Sequence, residues 1–75
     1  MATLRDLREE AMLSQVELAQ RCGVSKQTIW EWETARAKPK PAHQRKLVEI
    51  FGKTPREVLD AIKATQEANK ERPAA

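Results

Sequence analysis

The chain has 75 residues and a net charge of +3, with 33% charged and 40% hydrophobic residues, which is typical of one small, highly solvated folded domain. Its single cysteine excludes an internal disulfide framework and a multi-cysteine zinc site. No apolar run approaches the roughly 20 residues of a membrane-spanning helix. We therefore expect a protein of the reducing cytoplasm, without a signal peptide or membrane attachment.

The first two helices are predicted by their capping residues. Two pairs have the three-residue spacing of a capping box, in which each partner satisfies a backbone N–H of the other: Thr3 with Asp6, and Ser14 with Glu17. We expect a first helix over about 3–12 and a second over about 15–22. Gly23 ends the second helix because glycine adopts the left-handed conformation at little cost.

The third and fourth helices are bounded by residues that cap or break helices. Ser25 is suited to be the N-cap of a third helix that reaches about Thr34. A loop over 35–40 comes next, because two prolines prevent the helix from continuing. A fourth helix is predicted over 41–51.

The fifth helix begins at a clear cap and has a short apolar stripe. Thr54 is suited to the cap position, and Pro55 to the first helical position, where its missing N–H is harmless. The apolar stripe ends at Ile62, so packing is not expected to hold the residues beyond it. We therefore divide the chain into a domain over residues 1–62 and a helical extension with a loose C-terminal tail over 63–75.

The residues around the short turn between helices two and three form one pattern. A turn of three residues forces two short helices to cross steeply. Such a crossing needs a small residue where the helices touch and a glycine in the turn, and Ala19 and Gly23 meet these needs. Apolar residues must fill the angle, and five are available: Leu18, Cys22, Val24, Ile29 and Trp32. The pattern predicts a helix-turn-helix.

The segment LRDLREEAMLSQVELAQRCGVSKQTIWEWE, over residues 4–33, resembles the xenobiotic-response-element family of phage Cro and repressor-type DNA-binding domains. The likeness covers about residues 3–62. It implies an all-α, lambda-repressor-like fold of five helices, whose third helix enters the major groove of double-stranded DNA. It also implies a homodimer on a palindromic operator, and transcriptional regulation that is most often repression.

Polar side chains occupy the outer face of the third helix: Lys26, Gln27, Thr28 and Glu31. A lysine donates to guanine, a glutamine pairs with adenine, a threonine methyl touches thymine and a glutamate accepts from cytosine. We predict that these four residues contact base edges. The alternative is that they are ordinary exposed polar residues.

A central basic block is a second indication of DNA binding. Residues 21–46 contain seven lysines and arginines against two glutamates, a net charge of +5, which is the footprint expected for a polyanion. We predict DNA-backbone contacts from Ser25, Arg36, Lys38 and Lys40, although a solvated loop would also explain the last three. The resemblance adds Gln15, at the start of the second helix, as a phosphate contact.

Two further residues, Arg8 and Trp30, are assigned to the DNA backbone, and Trp30 has other possible roles as well. By resemblance, Arg8 and Glu33 form a surface ion pair between the first and third helices that directs Arg8 toward a phosphate. Such a pair contributes only about 0–1 kcal/mol. Trp30 stands where the family usually has a small or polar residue. It contacts DNA, covers the edge of the core, or meets a protein partner.

Three other positions depart from the family pattern. Ala35 replaces a usual glycine, so either a left-handed alanine costs about 1 kcal/mol or the third helix runs longer. Gln44 and Lys53 replace apolar residues, which makes the packing of the fourth helix the least determined part of the fold.

The residues indicate no catalysis and no cofactor. His43 has no second metal-binding side chain nearby in sequence, and Cys22 occupies a core position. We therefore expect a cytoplasmic, sequence-specific regulator that occludes a promoter as a homodimer and is not an enzyme. The alternatives are the antitoxin of a toxin–antitoxin pair, and a protein-adapter domain that has lost its affinity for DNA.

Overall fold

A computed structural model describes residues 1–70, and the loose C-terminal end that the sequence predicts lies outside the described residues. The described part contains no strand and forms five helices: α1 Leu4–Glu10, α2 Gln15–Cys22, α3 Lys26–Glu33, α4 Pro41–Phe51 and α5 Pro55–Lys70. The predicted all-helical architecture is confirmed, and the helix-turn-helix consists of α2 and α3.

Side-chain caps fix where the first three helices begin. The hydroxyls of Thr3 and Ser14 accept hydrogen bonds from the backbone N–H groups of Asp6 and Glu17, whose carboxylates accept from the cap residues in return. These hydrogen bonds to the charged form hold the pKa of both carboxyls below its ordinary value. The hydroxyl of Ser25 caps α3 in the same way. Both predicted capping boxes are confirmed.

The turn between α2 and α3 has the predicted construction. Gly23 has φ of 72° and is left-handed, and the next N–H, of Val24, donates to the carbonyl of Ala19 at 3.0 Å. The residues that fill the crossing are buried, apart from the partly buried Val24: Leu18, Ala19, Cys22, Ile29 and Trp32. Burial raises the pKa of the Cys22 thiol, which fits a core residue rather than a nucleophile.

Helix α5 is held by packing well beyond Ile62, so the expectation of an unsupported extension is wrong. Ala64 and Thr65 are buried, and the Thr65 hydroxyl accepts a hydrogen bond from the N–H of Leu4 at 2.9 Å. The Asn69 amide donates to the last carbonyl of α3 at 3.3 Å. The spacing of large apolar residues does not predict these contacts, because a methyl, a hydroxyl and an amide group make them. The domain boundary after residue 62 stays a prediction.

The end of α3 decides between the two interpretations of Ala35. The helix ends at Glu33, and Ala35 is left-handed with φ of 61°. The N–H of Arg36 donates to the carbonyl of Glu31 at 2.9 Å, and the N–H of Ala35 donates to that of Trp32 at 3.4 Å. These are the two hydrogen bonds of a Schellman motif. The alternative of a longer third helix is therefore wrong.

The polar residues that depart from the family pattern make hydrogen bonds instead of apolar contacts. The Gln44 amide donates to the carbonyl of Pro39 at 2.9 Å and closes the loop before α4. The Lys53 ammonium donates to the Glu10 carboxylate at 2.7 Å, which raises the pKa of Lys53. Helix α1 ends at Glu10, two residues earlier than predicted, because Met12 is left-handed with φ of 59°.

The strained alanine gives the first testable prediction. Ala35→Gly should raise the free energy of unfolding by about 1 kcal/mol, since glycine adopts positive φ without a Cβ clash. Urea denaturation followed by circular dichroism measures this change. Ala37→Gly is the matched control, because Ala37 is exposed and outside the left-handed region, so glycine there should not stabilise the protein. Equal stabilisation at both positions would contradict the prediction.

Candidate nucleic-acid interface

Helix α3 presents one face to the core and the other to solvent. Lys26 and Gln27 are exposed at its N-terminal end, while Thr28 and Glu31 are half-buried. The hydroxyls of Thr28 and Ser25 lie 3.0 Å apart, so Thr28 hydrogen-bonds to the cap residue of the helix and also belongs to its outer face. The four predicted base-contacting residues therefore share one helix, and the first two extend furthest into solvent.

A buried carboxylate at the other end of α3 joins three helices. Nε and Nη2 of Arg8 donate to the two carboxylate oxygens of Glu33 at 2.6 and 3.3 Å, and the Gln15 amide donates to the same group at 3.1 Å. Only 12% of the Arg8 side chain and 5% of the Glu33 side chain are exposed. The expectation of a surface ion pair is wrong, because both side chains are almost entirely buried.

This network changes the role of Arg8. Its third nitrogen, Nη1, donates to the carbonyl of Leu13 at 2.9 Å, so every nitrogen of the guanidinium donates within the protein. Arg8 holds α1 against the end of α3, and the geometry does not favour it as a phosphate contact. Gln15 also donates inward, but it is half-buried and lines an open depression of about 320 Å³ with Lys26, Gln27 and Trp30. Its phosphate contact stays a prediction.

The loop after α3 carries the other predicted backbone contacts. Arg36, Lys38 and Lys40 are exposed, whereas Pro39 is buried. The buried proline fixes the loop to the core and leaves a lysine exposed on each side of it. Ser25 is exposed at the opposite end of α3. Ser25 and the three basic residues of the loop thus flank α3 in the chain and are exposed.

Trp30 is neither a core residue nor an uncovered one. Trp30 belongs to the solvent-facing side of α3 and is 37% exposed, compared with 4% for Trp32. The Arg36 guanidinium carbon lies 4.9 Å from the centroid of the Trp30 rings, which is the distance of a cation–π contact. The sequence assigns both residues to the DNA backbone but does not reveal that they touch each other.

Lys46 is a further charged residue near the turn, and the sequence did not single it out. Its ammonium lies 3.8 Å from the position that a Cβ would occupy on Gly23, so α4 supplies a positive charge to the C-terminal end of α2. That end of a helix favours a cation. Membership of the basic block was the available signal, but the sequence separation of Lys46 from the turn concealed its position.

Comparison with known families identifies the domain. A family model described as a helix-turn-helix domain matches residues 2–62. The chain belongs to this helix-turn-helix family. The helix-turn-helix assignment made from the sequence is thereby confirmed and is consistent with the family that the sequence resembles. The helix-turn-helix protein is a DNA-binding regulator in general terms. Comparisons with curated proteins and with solved structures found no match.

Membrane-spanning helices and metal clusters are absent from the described part of the helix-turn-helix protein. Within residues 1–70, no helix has the length and apolar character to cross a membrane. The same part of the chain contains no cluster of three or more histidine, cysteine or acidic side chains arranged to hold a metal ion.

The Glu33 network predicts a large loss of stability when its carboxylate is removed. Glu33→Ala should lower the free energy of unfolding by about 3 kcal/mol, because Arg8 is left as a mostly buried charge without its partner. Chemical denaturation measures the loss. Glu9→Ala is the control, since the Arg5–Glu9 pair is more than half exposed on both sides and should change stability by less than about 1 kcal/mol. Similar losses in the two variants would contradict the structural role of Glu33.

Proposed function

We propose that the helix-turn-helix domain binds double-stranded DNA sequence-specifically and represses transcription by promoter occlusion, as a homodimer on a palindromic site. The observation that carries this proposal is the exposed N-terminal half of α3, which is held at one end by the Ser25 cap and at the other by the buried Glu33 carboxylate. A helix held at both ends presents its side chains in a fixed geometry, which favours specific recognition.

Base recognition is assigned to α3. We assign Lys26 to guanine and Gln27 to adenine, because both side chains are exposed and have the donors and acceptors that these bases require. Thr28 offers a methyl group to thymine, and Glu31 offers an acceptor to cytosine. The half-burial of these two makes their contribution smaller than that of the first pair.

Phosphate recognition is assigned to the residues around α3: Gln15, Ser25, Arg36, Lys38 and Lys40. The three basic residues among them are exposed and each neutralises one phosphate when bound. Neutralised phosphates release counterions, so the affinity for DNA should fall steeply with salt concentration. The single cysteine is buried and free, which fits the reducing cytoplasm in which we propose that the regulator acts.

An apolar groove between α4 and α5 supports the homodimer. The groove has a volume of about 350 Å³, and Val48 and Leu59 are among the residues that line it. Leu59 is 42% exposed. Arg45 and Glu49 are exposed at the same groove, four residues apart on α4. A two-fold axis that passes between Arg45 and Glu49 would bring Arg45 of each copy opposite Glu49 of the other, which would make the surface complementary to itself.

Selection of bound sequences from a random duplex pool tests specific DNA binding. On the selected site, Gln27→Ala should relax the preference at one base position and cost about 1–3 kcal/mol of binding. Lys38→Ala should weaken binding to all sequences alike and reduce the salt dependence by about one counterion. Affinities measured over a salt series separate the two effects. An equal loss of preference in both variants would contradict the assignment, and a protein that binds no duplex would instead favour the adapter hypothesis.

The groove predicts the effect of one charged substitution on dimer binding. Leu59→Glu should abolish cooperative binding of two copies to the palindromic site, because it places a charge in the apolar contact. Its affinity for a duplex with one half-site should stay unchanged. Sedimentation of the complexes gives the number of bound copies. Met12→Glu is the control, since Met12 is 88% exposed and does not line the groove. Cooperativity that survives Leu59→Glu would exclude this dimer surface.

A further inference from the structure

We propose that Trp30 is a positioning residue that holds the Arg36 guanidinium at the edge of the α3 surface, where Arg36 contacts a DNA phosphate. This inference rests on the proposed function and adds a role for Trp30. Trp30 thus contributes to DNA affinity through Arg36 rather than through a contact of its own.

The contact between the two side chains is the first observation. The Arg36 guanidinium carbon is 4.9 Å from the centroid of the Trp30 rings. The ring is 37% exposed, and it is not among the buried residues of the core. Trp30 therefore lies outside the core cluster, and a cation contacts the face of its ring.

The backbone brings the two residues together. The left-handed Ala35 reverses the chain at the end of α3, and the N–H groups of Arg36 and Ala37 both donate to the carbonyl of Glu31, at 2.9 and 3.3 Å. A Schellman motif usually includes an apolar contact between the second residue after the helix cap and a residue of the last helical turn. Here Arg36 and Trp30 occupy those two positions, and a guanidinium on an aromatic ring replaces the apolar contact.

This arrangement leaves the donors of Arg36 available. A cation–π contact uses the positive charge of the guanidinium and needs no hydrogen bond from it, so the N–H groups of the arginine stay available to other acceptors. Among residues 1–70, no side-chain hydrogen bond or ion pair occupies the Arg36 guanidinium. This contrasts with Arg8, whose nitrogens all donate within the protein.

Fixing Arg36 in advance should increase its effect on affinity. A free arginine side chain loses rotamer entropy when a phosphate immobilises it. Arg36 has already lost part of this freedom. A hydrogen bond from its backbone N–H fixes where its side chain begins, and the Trp30 ring restrains its guanidinium. Lys38, an exposed cation two residues further along, has no such aromatic contact in the described structure. It therefore provides an internal comparison.

A double-mutant cycle tests the inference with a fluorescent duplex of mixed sequence as the probe. Arg36→Ala should weaken binding and lower the salt slope by about one. Trp30→Leu should weaken binding about threefold, and the double variant should bind no more weakly than Arg36→Ala alone. Trp30→Phe keeps an aromatic face and should restore most of the lost affinity. In the matched cycle, the losses from Trp30→Leu and Lys38→Ala should be additive.

Thermal unfolding of every variant separates these effects from loss of folding, and affinities are measured well below the lowest midpoint. Additive losses for Trp30→Leu and Arg36→Ala would overturn the inference, because Trp30 would then act independently of Arg36. A change of sequence preference in Trp30→Leu, measured by selection from the random duplex pool, would overturn it as well and would make Trp30 a base contact. A wild-type protein that binds no duplex would overturn the proposed function itself. Additive losses in a protein that binds DNA would leave the proposed function intact.

Discussion

The buried carboxylate of Glu33 is the interaction on which the arrangement of the helices depends. It accepts hydrogen bonds from Arg8 on α1 and from Gln15 on α2, and the backbone carbonyl of the same residue accepts one from Asn69 on α5. Four helices therefore meet at the last residue of α3. A charge with 5% of its side chain exposed is tolerated only when donors surround it, so the network demands a particular placement of α1 and α2 around α3.

The position of this network explains why α3 is suited to recognition. Its C-terminal end is fixed through Glu33, its inner face by the buried Ile29 and Trp32, and its first turn by the Ser25 hydroxyl. The remaining surface, which begins at the exposed Lys26 and Gln27, is not needed to hold the helices together. Its residues are therefore available to match a base sequence without a loss of stability, since exposed substitutions away from structural contacts usually change stability little.

The features that the sequence predicts correctly depend on local rules, whereas those it misses depend on distant residues or on a backbone conformation that the residue type does not determine. Capping boxes and the left-handed Gly23 require only neighbours within a few positions, and the structure contains them. The burial of Thr65 depends on the N–H of Leu4, 61 residues away, and no periodic pattern carries that information. The contact of Arg36 with Trp30 depends on the left-handed turn at Ala35, and the sequence alone left that alternative open.

The distribution of ion pairs explains how a chain with a small net charge acquires a basic surface. Two basic residues outside the basic block, Arg8 and Lys53, pair with Glu33 and Glu10. The first pairing is the more important, because Glu33 is one of only two acidic residues in the block over 21–46. Arg8 cancels that negative charge from another helix and buries it, so the Glu33 carboxylate does not repel a phosphate near α3. The interaction that fixes the proposed recognition helix thereby also raises the positive potential beside it.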